Sequence, residues 1–166
     1  MITIRRVRSE DWKMLKELRL RALVDAPYAF AETAADKRQA PDSQWQSLAA
    51  RSSEGNSSTS VVAFDGRNAI GMAASFFGGD NAAQAHLVAM WVAEEYRGTR
   101  VAACILGDVV AWARTAGATE IDAGITTDNV RARRFYEKQG FKEAGTRAID
   151  AAHLEGCEHV MVMNLE

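Results

Sequence analysis

The sequence predicts an α/β (α+β) protein with a mixed, mostly antiparallel seven-stranded sheet and helices on both faces. Three observations carry that expectation. Apolar runs bounded by Gly, Asp and Asn clusters recur along the chain, as at Ala69–Phe77 and Gln84–Val92, and read as strands. Other segments place apolar residues at helical spacing, as at Val101, Ile105, Val109 and Trp112. The junction from Val92 to Ala102 joins a strand to a helix, and a further strand follows that helix. Such a βαβ unit implies one parallel pair with a right-handed crossover.

Taken in order, Thr3–Val7 reads as a first strand. Ser9 stands where a helix N-cap belongs, and Trp12, Leu15, Leu18, Ala22 and Leu23 follow at helical spacing. Asp25-Ala26-Pro27 ends that helix, because the residue before proline is pushed out of the α region. Pro41 marks the start of a second helix, with Trp45, Leu48 and Ala49 on one face. The low-complexity stretch Ser52–Ser60 reads as a mobile surface loop. Ser60–Phe64 and Ala69–Phe77 flank the hairpin signal Asp65-Gly66-Arg67-Asn68, and Gly78–Asn81 turns the chain into the strand Gln84–Val92. A helix over Thr99–Thr115 stops at Gly117. A strand Glu120–Ile125, a helix Asp128–Gln139 capped by Gly140, and strands Phe141–Ile149 and Glu158–Leu165 complete the chain. The order is β-α-α-β-β-β-α-β-α-β-β. If the two parallel strands splay at their C-terminal ends, they open a slot at the N-terminus of the helix between them.

A chain of 166 residues with 48% apolar and 25% charged residues is expected to form one domain spanning 1–166. Its formal net charge of −2 argues against a nucleic-acid-binding surface. No signal peptide or membrane-length apolar run is read, so the expected location is the cytoplasm, as a monomer or homodimer. Cys104 falls on the apolar side of a helix, where a buried free thiol is expected. His153, Cys157 and His159 do not have a standard metal spacing, and no metal is expected.

Two constellations carry the chemistry. At Val92–Ala102 a strand meets a helix N-terminus, where free backbone N–H groups and the positive end of the helix dipole make an anion site. Arg97 stands at the turn to reinforce it. About one βα unit later come Asn129, Ala132, Phe135, Tyr136 and Gly140-Phe141. The ordered pair suggests an enzyme that holds a phosphate-bearing carrier and performs acid–base chemistry beside it.

At these residues the sequence resembles the GNAT superfamily of acyl-CoA-dependent N-acetyltransferases. The family's pyrophosphate signature, Arg/Gln-x-x-Gly-x-Gly/Ala, stands here as Arg97-Gly98-Thr99-Arg100-Val101-Ala102. Met90-Trp91-Val92 matches the strand whose backbone pairs with the pantetheine arm, and Asn129 through Phe141 matches the second cofactor motif. The resemblance in motifs covers roughly residues 88–142, and the element order fits the whole chain. Arg100 stands where the family usually has Gly, and Glu94 where it often has Pro.

The resemblance implies the GNAT fold and acetyl-CoA as cosubstrate, held by Met90, Trp91, Val92, Arg97–Ala102, Asn129 and Tyr136. It also implies direct attack of a primary amine of a small molecule or peptide on the thioester, with Tyr136 giving a proton to the departing thiolate. Phe30 and Glu32, in the segment after the first helix, are the candidate acceptor-site residues. A lysine-like amine is only about one part in 2,500 neutral at pH 7, so it needs a base. His86, Glu32, Glu94, Glu95, Glu120 and Asp122 are open alternatives, as is a water chain, and spacing privileges none of them. The alternative function is a non-catalytic acyl-CoA-binding or sensing protein on the same fold.

Overall fold

The computed structural model describes every residue except 150 and 152. It contains one seven-stranded sheet in the order β1-β2-β3-β4-β5-β7-β6. The strands are β1 Ile2–Arg6, β2 Ser58–Asp65, β3 Asn68–Phe77, β4 Gln84–Val92, β5 Glu120–Thr126, β6 Lys142–Ala148 and β7 Cys157–Asn164. The helices are α1 Trp12–Asp25, α2 Ala34–Gln39, α3 Asp42–Glu54, α4 Val101–Thr115 and α5 Val130–Lys138. Only β4 and β5 pair in parallel; β1 through β4 form an antiparallel run, and β5, β7 and β6 form another.

Period-two alternation divides the buried residues between the two faces. Val62 and Met72 pack with Leu15, Leu18 and Leu23 of α1 and Ala49 of α3. Val61, Ala73 and Leu87 pack instead with Ile105 and Val109 of α4, and Tyr136 and Phe141 join that core. None of the described helices is long and apolar enough to cross a membrane.

The structure corrects four expectations. Ser9 is not a helix cap: residues 9–11 form a single 3₁₀ turn after Arg8, and α1 begins at Trp12. The segment 52–60 is not one loop, because α3 runs through Glu54 and β2 begins at Ser58. Ser52 lies seven residues after Trp45, on the same buried helix face, and its hydroxyl meets that of Ser60 at 2.9 Å. Helix α2 was absent from the expected order. Its signal was the cap, since Thr33 accepts a hydrogen bond from the Asp36 N–H at 3.1 Å, but the short segment has no apolar periodicity. Finally, Cys104 is exposed. It stands one residue from the buried Ile105, and so about 100° round the helix from it.

Candidate active site

The sheet opens where its two parallel strands part. β4 and β5 pair with each other only over Gln84–Leu87 and Glu120–Ala123, and from there to Val92 and Thr126 each keeps only its outer neighbour, β3 or β7. β4 also bulges. Ala74 faces Val88 and Met72 faces Trp91, so Ala89 and Met90 have no partner residue in β3 or β5. Ala89 has φ 58°, the one positive value at a non-glycine among the described residues. That conformation costs about 1–2 kcal/mol and persists only where surrounding structure fixes it.

The gap forms a slot of about 130 Å³ whose lining includes Met90, Gly124, Asn129, Ala132, Tyr136 and Glu158. A cleft of about 800 Å³ lies beside it, between α1, α3 and strands β2 to β4. Val88 and Ala89 line both spaces. The segment after α1 also spans them, with Phe30 on the slot and Glu32 on the cleft. Glu32 pairs with Arg19 at 2.7 Å and Lys37 at 3.0 Å. Burial opposes its ionisation, but the Arg19 charge and hydrogen bond, with Lys37, hold its carboxyl below the usual range.

β4 continues into the turn that starts α4. Gly98 has φ 77°, and an added Cβ would meet nothing within 4 Å, so conformation rather than space calls for glycine. Thr99 Oγ1 accepts the Val101 N–H at 3.3 Å. The N–H groups of Gly98, Arg100, Ala102 and Ala103 find no acceptor among the described residues. These are free backbone donors at the junction where an anion site is expected. Arg100 has φ −77° and is exposed, so nothing in its backbone requires the glycine usual at this position.

The other expected residues divide between site and scaffold. Arg97 Nε donates to the Val92 carbonyl at 3.0 Å, and its guanidinium pairs with Asp25. Trp91 Nε1 donates to the same carboxylate at 2.9 Å. The Trp91 hydrogen bond, then Arg97, holds the Asp25 carboxyl below its usual range. Arg97 thus fastens the end of β4 to the end of α1. Trp91, Val92 and Val101 are core residues, while Met90 lines the slot. Asn129 caps α5 by accepting the Ala132 N–H at 3.2 Å, which leaves its amide N–H₂ as the free donor.

Tyr136 lies one turn after Ala132 and is only 6% exposed. Its ring meets Phe135 and Phe141 edge-on, each at 5.2 Å. Burial alone pushes its phenol well above the ordinary value. The hydroxyl therefore stays protonated across the neutral range.

The sequence over residues 12–141 matches the acetyltransferase (GNAT) family. The chain belongs to the GNAT acetyltransferase family. An uncharacterised N-acetyltransferase from Mycobacterium tuberculosis is 44% identical to it over 71 residues, 42% of this chain and 45% of that protein. The match therefore spans a little under half the relative's length. A GNAT-family acetyltransferase from Streptococcus pneumoniae shares the fold with a TM-score of 0.83, at 16% identity over 99% of each chain. A putative acetyltransferase from Salmonella typhimurium, solved with its cofactor acetyl-CoA, superposes with a TM-score of 0.81, at 15% identity over 100% of this chain and 95% of that one.

Around these two spaces the base candidates fare unequally. Glu94 and Glu95 are exposed turn residues. Asp122 is buried and bonded to His86 at 2.7 Å and Gln84 at 3.3 Å, and the other His86 nitrogen meets the Gly78 carbonyl at 2.9 Å. Among the six candidates only Glu32 borders either space. The carboxylate that does line the slot is Glu158, which sequence reasoning missed. The one sequence signal pointing to it was Gly124 inside a strand, a mark of close approach by another group. His153, Cys157 and His159 do not converge: His153 meets the Pro27 carbonyl, and His159 pairs with Glu143. Among the described residues no group of three or more His, Cys, Asp or Glu is placed to hold a metal ion.

Proposed function

We propose that this protein is a cytoplasmic, single-domain N-acetyltransferase that moves an acetyl group from acetyl-CoA to a primary amine of a small molecule or peptide by direct attack in a ternary complex. One observation carries the reading. The end of β4 that has parted from β5 lines a slot closed on the other side by Tyr136, and the same strand leads directly into a helix start with free N–H groups.

These residues suit a diphosphate-bearing acyl carrier. The N–H groups of Gly98, Arg100, Ala102 and Ala103 would hold its diphosphate, and the exposed Arg100 side chain adds positive charge. The Asn129 amide and the unpartnered backbone of Ala89 and Met90 would hold the pantetheine amides. Bound there, acetyl-CoA supplies an activated acyl thioester.

The chain contributes alignment first, since slot and cleft meet at the Ala89 bulge and bring amine and thioester together. A backbone N–H at the bulge, where Ala89 and Met90 have no partner residue, would polarise the thioester carbonyl. Tyr136 donates a hydrogen bond to the leaving sulfur as charge builds on it. Its raised pKa makes it hold its own proton more firmly than a free phenol, so hydrogen bonding to the sulfur dominates over outright proton release. The cleft beside Glu32 takes the acceptor, with Phe30 at the boundary.

Acetyl-CoA-dependent thiol release across a panel of α-amines, lysine-like amines and polyamines tests this, with mass spectrometry of the products. At least one class is expected to give one N-acetyl product per thiol released. Tight acetyl-CoA binding without turnover of any amine would favour the non-catalytic acyl-CoA-binding function instead.

A further inference from the structure

We propose that Glu158 is the catalytic carboxylate that orients the acceptor amine and takes its proton, an assignment that rests on the acetyltransferase reading above. Of the described residues lining the slot, only Tyr136 and Glu158 carry ionisable side chains. They stand on different elements, Tyr136 on α5 and Glu158 on β7 opposite Thr126 of β5.

The fold makes room for this carboxylate. Gly124 lies in the middle of β5, where a strand favours a side chain. A Cβ there would come within 2.5 Å of Glu158 Oε2 and 2.7 Å of Oε1. The carboxylate thus lies flat over the bare backbone of Gly124. Neighbouring β5 residues Ile121, Ala123 and Ile125 point into the core shared with α4 and Tyr136. Alternation turns Gly124, and the carboxylate over it, to the opposite face, the one that carries α1 and α3. Tyr136 and Glu158 therefore border the slot from the two faces of the sheet. Arg147 on β6 donates from Nε to Oε1 and fixes the orientation, leaving Oε2 for a ligand.

The acceptor reaches the slot as an ammonium ion. It hydrogen-bonds to Oε2 and passes one proton to it, directly or through one water, which frees the nitrogen lone pair. The lone pair forms the C–N bond to the acyl carbon, and the C–S bond breaks with its electron pair on sulfur. The second proton lost from nitrogen neutralises the thiolate that Tyr136 hydrogen-bonds, and Glu158 returns its proton to solvent.

Glu158→Gln keeps the shape and the Arg147 contact, so the variant tests the charge. With a lysine-like acceptor, kcat/KM is expected to fall about 10²- to 10³-fold. Acetyl-CoA affinity by calorimetry is expected to stay within twofold, which separates the loss of rate from a loss of cofactor binding. The acidic limb of the pH profile is expected to give way to a rise that continues to the amine's own pKa. Glu158→Asp is expected to recover part of the rate. A readout independent of turnover uses CoA, which carries no acyl group. Addition of the acceptor amine to the CoA complex should shift the carbon-13 resonance of the Glu158 carboxyl group, identified by its loss in Glu158→Gln. Turnover by Glu158→Gln within threefold of the parent protein, or an unmoved resonance, overturns the assignment and leaves the acetyltransferase reading standing. Absence of thiol release from the parent protein with every amine overturns both.

Discussion

Replacing Tyr136 by Phe separates chemistry from packing more cleanly than any other single change. The two edge-on contacts at 5.2 Å involve only the ring, so they survive the substitution. The phenol's pKa is raised by burial with no hydrogen-bonding contribution, so the lost oxygen leaves no partner stranded. The hydroxyl itself borders the slot and is not among the oxygens sealed from solvent, so its removal relieves no burial penalty. The Phe variant should therefore stay within about 0.5 kcal/mol of the parent protein in stability, a melting temperature changed by no more than about 2 °C. Activity should change far more. A donor aimed at the departing sulfur contributes about 10²-fold or more. kcat should fall about 10²-fold, equivalent to about 2.7 kcal/mol of barrier. Thiol release and thermal unfolding measured on the same preparations decide the matter. A variant within threefold of the parent kcat would make Tyr136 a packing residue and defeat the proposed mechanism. An alkaline limb that begins below about pH 10 and vanishes in the Phe variant would do the same, because the raised pKa keeps Tyr136 protonated there.

Gly98→Ala forces φ 77° on a residue with a side chain, at a place where the Cβ meets no neighbour. It should cost about 1–2 kcal/mol, lower the melting temperature by about 2–4 °C per kcal/mol, and weaken acetyl-CoA binding in calorimetry; unchanged affinity would detach this turn from the cofactor. Arg100→Gly removes an exposed charge without relieving its backbone, so acetyl-CoA affinity should fall roughly two- to fivefold at low salt and less at high salt. A tenfold gain would show instead that Arg100 obstructs the site. Acid should weaken the fold through Asp11 and Asp25, whose pKa values are lowered chiefly by hydrogen bonds from Arg5 and Trp91 respectively. Because the folded values lie below the unfolded ones, this stabilisation is fully present above about pH 4 and is lost as pH falls through the folded values. Urea unfolding of Asp25→Asn should show a smaller loss between neutral and acid pH than the parent; equal losses would remove Asp25 from the explanation.

Strong periodicity made most of the fold legible in the sequence. Leu15, Leu18, Ala22 and Leu23 are the buried stripe of α1, and Val101, Ile105, Val109 and Trp112 lie in that of α4. The parallel pair was readable because a helix separates β4 from β5, and the splayed slot followed from that pairing. Helix α2 was hidden because six polar and small residues carry no periodic face, and only the cap at Thr33 announced it. The serine-rich segment misled because composition does not reveal that Ser52 and Ser60 satisfy each other across a helix–strand contact. In the candidate site, Gly98 lies within one local motif and Asn129 and Tyr136 within a second, and each could be read from its own. Glu158 could not, since its neighbours Gly124 and Arg147 come from other strands and meet it only through sheet register. Arg97 shows the opposite limit. Its motif position was legible, but its ties to Asp25, 72 residues away in sequence, and to the Val92 carbonyl were not.

A crystal structure of the protein with bound CoA would test the proposed site most directly. The diphosphate should lie on the N–H groups of Gly98, Arg100, Ala102 and Ala103, and the pantetheine arm between β4 and β5. The sulfur should stand within hydrogen-bond reach of Tyr136 Oη, about 3.5 Å. CoA seated elsewhere, or a sulfur remote from Tyr136 with the slot between β4 and β5 unfilled, would contradict the proposed reaction at its centre.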